Sequence, residues 1–503
     1  KHNLMEGPFA FIGHNSGISG DLGLNWQINE NHSLGMKMNY GGMLFGNQDI
    51  VFEDNVYAND ELIDIVHSAS HTTTPSSHTF TGNIYYDGNI NKLHVNFNAD
   101  FSDSGYKKET NVNENSQNDP AFIENLSDGV ARMGAGKLVL SYPIWKGMFK
   151  IGTEETYVSA KQEYNSTKTE IPSSKAKITE NNISGFAEYA LPFKYVQVVA
   201  GIRYEHVNFE YTNECSPKDN INRTHNNWFP SFNASTKIGP VGINLGYTTK
   251  IKRPRYDQLS TEMQYNNRFL YQTGDPTLLN EIQNTLSLNA NWRWLTLTGA
   301  YEVVDNAIYQ LGYPYDDDCT AMVKYSNAKE TVRKLNIYLN ASPTVGIWNP
   351  RYTVGMEKQY FETTVIDPRE STGTRVVKRN DPMFFVQANN SFKLKQGWLI
   401  DLDYQYTSPF DYVMYKFTKP KHGLNLAVSK SFLKHDALNV RLAWNDILNK
   451  TKEHVCTDYG NFIHNQNNDY YSPSIQLRLS YRFNTANSKY KGTGAGADAK
   501  SRM

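Results

Sequence analysis

Stretches in which apolar and polar residues alternate recur along almost the whole chain. Side chains of a β-strand point to opposite faces in turn, so each stretch predicts a strand with one apolar and one polar face. The segment SPSIQLRLSYRF at 472–483 places on one face Ile475, Leu477, Leu479, Tyr481 and Phe483. In a soluble sheet such a face packs on a core, whereas in a membrane it meets lipid. The pattern restricts the chain to all-β architectures, but it does not decide between a soluble core and lipid as the environment of the apolar face.

Short and long connections alternate strictly between the predicted strands. Nine short turns are predicted near 29–32, 87–92, 142–147, 191–194, 238–242, 291–294, 344–349, 395–398 and 433–437. Nine long polar loops are predicted near 46–77, 104–125, 161–177, 211–226, 251–281, 312–321, 363–381, 408–420 and 450–471. Outer-membrane barrels have short periplasmic turns and long extracellular loops. A soluble sandwich has no reason for such regularity, so a transmembrane antiparallel β-barrel is the predicted fold class.

These connections join about 19 strands. The first strand, near residues 14–29, and the last both run towards the short-turn side, whereas bacterial single-chain barrels close with an even number of antiparallel strands. We therefore expect an odd number of strands upstream, and three would give about 22. A mitochondrial-type porin with about 19 strands also closes on parallel ends, but does not need long loops on one side only.

Composition fits a barrel with a wet interior. The mean hydropathy is −0.60, and no run approaches the length of about 18 apolar residues that a transmembrane helix needs. The chain has 33 Tyr, a residue suited to half-wet surfaces. A net charge of −1 favours no nucleic-acid partner. Cys215, Cys319 and Cys456 form no metal-binding spacing and fall in three predicted external loops, where a disulfide is allowed but its pairing stays open.

The segment YTTKIKRPRYDQLSTEMQYNNRFLYQTGDPTLLNE at 247–281 resembles the barrel signature of TonB-dependent outer-membrane receptors, especially the Bacteroidetes-type outer-membrane β-barrel family. The matching positions are Arg253, Pro254, Tyr256, Leu259, Thr273, Gly274, Pro276, Leu278 and Glu281. Asp275 and Asn280 depart from the usual Asn and Pro, and Asp turns a chain as Asn does. NVRLAWNDILNKT, with Asp446 and Asn449, is similar to the penultimate strand, and LRLSYRF to the last.

The resemblance implies energised uptake of a scarce nutrient, such as a siderophore, glycan or peptide, across the bacterial outer membrane. Its implied partners are outer-membrane lipid and lipopolysaccharide, TonB-ExbB-ExbD through an N-terminal region, and a surface lipoprotein. The plug domain of such receptors is not in this chain, so residues 1–484 are predicted to be the C-terminal part of a larger receptor's barrel and 485–503 a flexible periplasmic tail. The alternatives are a passive porin or structural barrel subunit, and a secreted soluble β-protein that binds glycans.

Candidate ligand-binding residues cluster after one strand end. Cationic and aromatic side chains suit anions, sugars and siderophore rings, and here they are Arg253, Arg255, Tyr256, Tyr265, Arg268, Phe269 and Tyr271. A structural role with solvated charges is the alternative. Asp316, Asp317 and Asp318 are weak calcium candidates, because three consecutive Asp lack the spaced ligands of a calcium loop. No catalytic motif and no cofactor motif is present, so no enzyme is predicted.

Overall fold

The computed structural model describes residues 3–116, 120–268, 270–314, 321–460, 462–468, 472–483 and 490–503. In chain order the strands are β1 (Asn3–Glu6), β2 (Phe9–Asn29), β3 (His32–Ala58), β4 (Glu61–Ile90), β5 (Leu93–Ser116), β6 (Ala121–Ile144), β7 (Gly147–Ser166), β8 (Ser174–Pro192), β9 (Val196–Asn213), β10 (Ile221–Ile238), β11 (Val241–Lys252), β12 (Met263–Asn267), β13 (Leu270–Thr273), β14 (Glu281–Trp292), β15 (Leu295–Asp305), β16 (Ile308–Pro314), β17 (Ala321–Asn327), β18 (Val332–Ala341), β19 (Trp348–Ile366), β20 (Thr374–Arg379), β21 (Met383–Lys393), β22 (Trp398–Thr407), β23 (Phe410–Tyr412), β24 (Tyr415–Phe417), β25 (Lys421–Phe432), β26 (Leu438–Asn445), β27 (Glu453–Asp458), β28 (Ile463–Asn468) and β29 (Ser474–Tyr481). The helices are α1 (Tyr256–Leu259) and α2 (Ala497–Arg502).

One antiparallel sheet of 21 strands dominates the molecule. Neighbouring strands follow the chain order, and β1 and β20 are short pieces that pair with the loop ends of β3 and β19. The remaining 19 strands form the body of the sheet, which confirms the predicted number of about 19 strands in this chain. β2 and β29 form its two edges, and neither pairs with the other among the described residues. The prediction of about 22 strands stays a prediction.

All nine predicted short turns join neighbouring strands at one end of the sheet. Several tight turns place a non-glycine residue at positive φ, as at Asn91, Trp145 and Arg293, a geometry that two-residue hairpins require. At the other end the structure differs from the prediction of long loops. β3 has 27 residues and β4 has 30, far more than the 9–11 or so that cross a bilayer. Polar alternation continues there, so these strands extend beyond the membrane.

The later connections at this loop end carry small sheets of their own. One contains β12, β13, β17 and β16, and the other contains β23, β24, β27 and β28. A hydrophobic cluster around Tyr265 and Tyr271 contains residues of the first small sheet. A second cluster around Tyr309 and Phe361 joins β16 of the first sheet to Met414, in the turn between β23 and β24 of the other. Sequence alone predicted irregular loops here because strands of three to seven residues are too short for a readable alternation.

The two faces of the large sheet are reversed relative to a soluble protein. On β5, Phe97 and Phe101 are 40% and 46% exposed, whereas Asn98 and Asp100 are 0% and 7% exposed. The same reversal occurs on β8, where Ile183 is exposed and Glu180 is buried. A face of exposed Leu, Ile and Phe beside buried Asn and Asp suits lipid outside and a polar lumen inside. No described helix is long and apolar enough to cross a membrane.

The sheet is curled. Tyr490 donates a hydrogen bond to Asn83 on β4, and Phe483 follows β29. Strands lie about 4.8 Å apart, so a flat sheet of this order would separate β4 from β29 by about 75 Å. The seven chain steps from Phe483 to Tyr490 span no more than about 25 Å. The two margins of the sheet therefore approach each other, as barrel closure requires.

Candidate functional site

The chain turns sharply after β11, at the Arg-Pro pair. Proline has no backbone N–H to donate to a sheet, and β11 ends at Lys252, just before Arg253 and Pro254. The single turn α1 follows, and Arg255 caps it, since its backbone N–H donates to the side chain of Gln258 at 2.9 Å. Arg255 is exposed, and its guanidinium donates to Asp257 at 2.9 and 2.5 Å. Among the candidate residues on this turn, only Arg255 faces solvent.

Gly274 and Asp275 close the same segment against α1. A Cβ at position 274 would lie 2.4 Å from the carbonyl oxygens of Gln258 and Ser260, so only glycine fits this approach. The Asp275 N–H donates to the Gln258 carbonyl at 2.7 Å, and its carboxylate accepts from the N–H and hydroxyl of Thr277. Asp275 thus turns the chain as the usual Asn would. The signature segment encodes a folded junction between β11 and β14.

The hairpin of β12 and β13 carries the other candidates and folds over the lumen face of β5. Tyr265 donates to Glu114 at 2.9 Å, and Arg268 donates to the other oxygen of Glu114 at 2.5 Å. Arg268 also donates to Ser116 at 3.2 Å and lies 3.6 Å from the carboxylate of Asp64. The rings of Tyr265 and Tyr271 are 5.5 Å apart, and both are buried. Phe269 lies outside the described residues.

Arg253 and Tyr256 lie inside the molecule. Arg253 is 5% exposed and donates to Glu205 on β9 and, at 2.8 Å, to Asp498 in the C-terminal segment. Tyr256 is 3% exposed, and the guanidinium of Arg502 lies 4.6 Å from its ring centre. The candidate set therefore separates into an exposed residue, Arg255, and residues held by internal contacts. Their role in ligand binding stays a proposal.

Two acidic residues lie at the loop end of the barrel, here called the mouth, and no motif in the sequence singled them out. Glu114 is one of several polar residues at the loop end of β5, and only the fold brings Tyr265 and Arg268 to it across 151 and 154 positions. Glu262 lies between α1 and β12, where burial raises the pKa of its carboxyl to about 7. Ser127 donates to Glu262 at 3.5 Å. A partly buried acid that changes charge near neutral pH is a feature of functional sites.

The lumen face of the later strands forms an open polar cleft of about 610 Å³. Side chains from β19, β21, β22 and β25 line it, and most are amides or carboxylates, including Asn349, Gln387, Asn389, Asp401, Asp403 and Asn425. Such a wall presents hydrogen-bond donors and acceptors without a large hydrophobic patch. It suits a hydrated solute or a polar protein surface within the lumen.

No metal site is found in the described part of the chain, where no three His, Cys, Asp or Glu residues are grouped to hold an ion. Asp316, Asp317 and Asp318 lie outside the described residues, so the calcium prediction stays as it was. Cys215 is exposed and Cys456 is half-buried, and neither forms a disulfide within the described ranges. Cys319 also lies outside them.

A model of the outer membrane protein beta-barrel family matches residues 86–481. The chain belongs to this family. The match includes β5 to β29, so the sheet with its exposed apolar face and buried polar face is the family's barrel. It follows that this member of the outer membrane protein beta-barrel family is located in the outer membrane, as the sequence predicted.

Solved structures of outer-membrane transporters share the fold of this family member. It is similar to the copper transporter OprC, with a TM-score of 0.63 at 11% identity over 95% of this chain and 82% of that one. The outer membrane transporter YddB from Escherichia coli aligns with a TM-score of 0.55 at 10% identity, over 93% and 75%. The FrpB iron transporter from Neisseria meningitidis aligns with a TM-score of 0.54 at 12% identity, over 94% and 81%. No curated protein sequence matches the chain.

These likenesses confirm the fold of the family member. They bear out the resemblance to receptor barrels at the level of architecture: an antiparallel barrel with short turns at one end and elaborated connections at the other. At 10–12% identity they carry no substrate or site residue over to this chain.

Proposed function

We propose that this chain is the transmembrane barrel of an outer-membrane receptor that imports a scarce nutrient with energy supplied through TonB. The observation that carries the proposal is the combination of a polar lumen face with a folded hairpin that lies over the loop end of β5. The lumen face of β5 bears buried Asn98 and Asp100, and its loop end is covered by the hairpin of β12 and β13 through Glu114. A passive pore needs an open path, whereas a receptor needs a surface that captures a solute before passage.

The neighbouring folds support the same class of function. OprC is a copper transporter and FrpB is an iron transporter. Both share only 11–12% identity with this chain, so the proposal extends to energised uptake and not to a metal. A siderophore, a glycan and a peptide are all compatible with a polar lumen wall.

The candidate binding surface is the outer side of the segment from α1 to β13. Arg255 presents a guanidinium there, and Glu262 presents an acid with a pKa of about 7. Arg268, Tyr265 and Tyr271 would act by holding the hairpin in place, since their contacts lead inward. We therefore propose Arg255 as the direct ligand contact of the group.

The test is uptake by cells that express the full-length protein, measured with iron chelates, cobalamin, glycans and peptides in turn. The proposal expects uptake of one class that stops when the proton-motive force is dissipated or TonB is deleted. Arg255→Ala should reduce binding of that solute, and Lys218→Ala, in another external connection, should not.

Two outcomes favour the alternatives. Uptake that persists without TonB, together with steady ion conductance in a planar bilayer, would favour a passive porin. The absence of any solute-dependent uptake, with the protein recovered in a large envelope complex, would favour a structural barrel subunit. Co-purification from the same cells tests whether the protein binds TonB and a surface lipoprotein.

A further inference from the structure

The C-terminal segment 490–503 is bound along the lumen face of the sheet. Sequence predicts a mobile periplasmic extension here, but each part of this segment contacts a different strand. Tyr490 contacts Asn83 on β4 and lies edge-on to the ring of Tyr85 at 4.8 Å. Thr493 donates through its N–H to Asn98 on β5 at 3.1 Å and through its hydroxyl to Asn96 at 3.2 Å.

The path of the segment accounts for two of its three glycines, Gly494 and Gly496. The N–H groups of Gly494, Ala495 and Gly496 donate to Asn98, Asp100 and Glu154 at 3.0, 2.9 and 2.8 Å. Gly494 and Gly496 have φ of 75° and 65°, a left-handed geometry that favours glycine. A Cβ at Gly496 would lie 2.7 Å from the sulfur of Met133. Gly496 is therefore favoured by its backbone angles, and the Cβ of Ala135 on β6, 2.9 Å from that added Cβ, leaves little room for a side chain.

The end of the segment is held by an arginine pocket. Arg502 makes a bidentate pair with Glu180 on β8, at 2.7 and 3.0 Å, and donates to the Pro254 carbonyl at 3.0 Å. Its guanidinium lies over the ring of Tyr256 at 4.6 Å. Arg502 and Glu180 are 6% and 5% exposed, so the pair is shielded from water. Bidentate pairing together with stacking on an aromatic ring suits a planar guanidinium and not an ammonium group.

We propose that residues 490–503 form a lumen strap, an intramolecular peptide ligand, and that Glu180, Pro254 and Tyr256 are its arginine-specific binding pocket. The strap runs from Asn96, near the short-turn end of β5, to the junction beyond the loop end of β11. It thereby occupies one sector of the lumen and joins the chain after β29 to the base of the candidate ligand-binding segment. This inference does not depend on the proposed transport activity.

A second pair ties the strap to the same junction. Asp498 accepts from Arg253 at 2.8 Å, and Ala499 packs in the apolar cluster that contains Tyr256, Leu259 and Leu278. Asp498 and Ala499 of α2 thus contact the junction formed by Arg253 and α1. Release of the strap should therefore loosen α1 as well as the strap itself.

Hydrogen exchange of the full chain in lipid nanodiscs, followed by mass spectrometry, tests the proposal. The wild-type strap amides at 494–502 should be protected. Arg502→Lys keeps the charge but loses the bidentate and stacking geometry, so these amides should exchange at least about tenfold faster. Exchange at 256–260 should rise with them.

Lys500→Arg is the matched control, because Lys500 is partly exposed and its ammonium pairs with the Asp100 carboxylate, which a guanidinium can also bind. This variant should exchange as the wild type does. Wild-type strap amides that exchange like those of an unstructured peptide would overturn the proposal. Equal behaviour of Arg502→Lys and Lys500→Arg would do so too.

Charge reversal identifies the pocket. Arg502→Glu and Glu180→Arg should each release the strap, and the double variant should regain part of the protection. Release in both single variants with no recovery in the double variant would show that Arg502 and Glu180 do not act as a pair, and would reject the pocket. Heat-dependent gel mobility checks that each barrel has folded. If Glu180→Arg fails to fold, Arg502→Lys still decides, because its substitution lies outside the barrel strands.

Discussion

The guanidinium of Arg253 lies 2.8 Å from the carboxylate of Asp498, although 245 positions separate them. Arg253 also pairs with Glu205, so its charge is matched by two carboxylates inside the barrel. The Arg-Pro junction is thus an internal anchor in this structure. A direct contact between Arg253 and an imported solute stays a prediction, and it would require the strap to leave first.

A charge on the apolar face of the sheet should disrupt the barrel in lipid. Ile337 is 41% exposed on β18, in the middle of the sheet. We expect Ile337→Arg to lower the free energy of unfolding in liposomes by about 2–4 kcal/mol, because a guanidinium near the bilayer midplane is poorly solvated. Urea titration followed by tryptophan fluorescence measures it. Asn336→Arg, one residue away on the lumen face, is the control, and a similar loss there would contradict the assignment of the faces.

The topology predicts which end of the barrel faces the cell exterior. Cys215 is exposed in the connection between β9 and β10. In a variant with Cys319→Ser and Cys456→Ser, a membrane-impermeant maleimide should label Cys215 on intact cells. A variant that also carries Cys215→Ser and Lys146→Cys, in the short turn after β6, should react only once the outer membrane is opened. The reverse labelling pattern would show that the barrel has the opposite orientation in the membrane.

The hairpin of β12 and β13 depends on a shielded ion pair. The Glu114 side chain is 1% exposed, and Arg268 lies 2.5 Å from it. Arg268→Met should lower the free energy of unfolding by about 3–5 kcal/mol, because it leaves a buried carboxylate without its cation. Adding Glu114→Gln should recover part of this loss, as measured by urea titration. A double variant no more stable than Arg268→Met would argue that packing, and not charge, holds the hairpin.

The mouth should respond to pH through Glu262. Its folded pKa is about 7, against an ordinary value of 4.5, because burial disfavours the charged form. The folded chain binds this proton more tightly than the unfolded chain, so the free energy of unfolding should rise as the pH falls from above 7 towards 4.5. The whole effect is up to about 3 kcal/mol.

Glu262→Gln should remove this pH dependence, because the amide carries no titrating proton. Stability curves between pH 5 and pH 8, taken by urea titration at each pH, measure the difference between the variant and the wild type. Glu124→Gln, which replaces an exposed carboxylate near the loop end of β6, should keep the wild-type dependence of stability on pH. Identical profiles for Glu262→Gln and the wild type would place the titrating group elsewhere.

The sequence by itself determined the repeating elements of the barrel. Alternation along segments such as Leu93–Phe101 identified strands and their two faces, and the turn residues identified all nine short connections. Both signals are local: a strand shows its faces with period two, and a tight turn needs particular backbone angles. The family signature around Arg253 and Gly274 was readable for the same reason.

Only the tertiary structure decided what those residues contact. The partners Glu114 and Arg268, Arg253 and Asp498, and Arg502 and Glu180 are separated by 154, 245 and 322 positions. A charged residue in a loop looks the same in sequence whether it meets water, a ligand or a buried carboxylate. The curl of the sheet brings the polar faces of its strands around one lumen, and that curvature gathers scattered polar residues into a mouth, a lumen wall and a strap site.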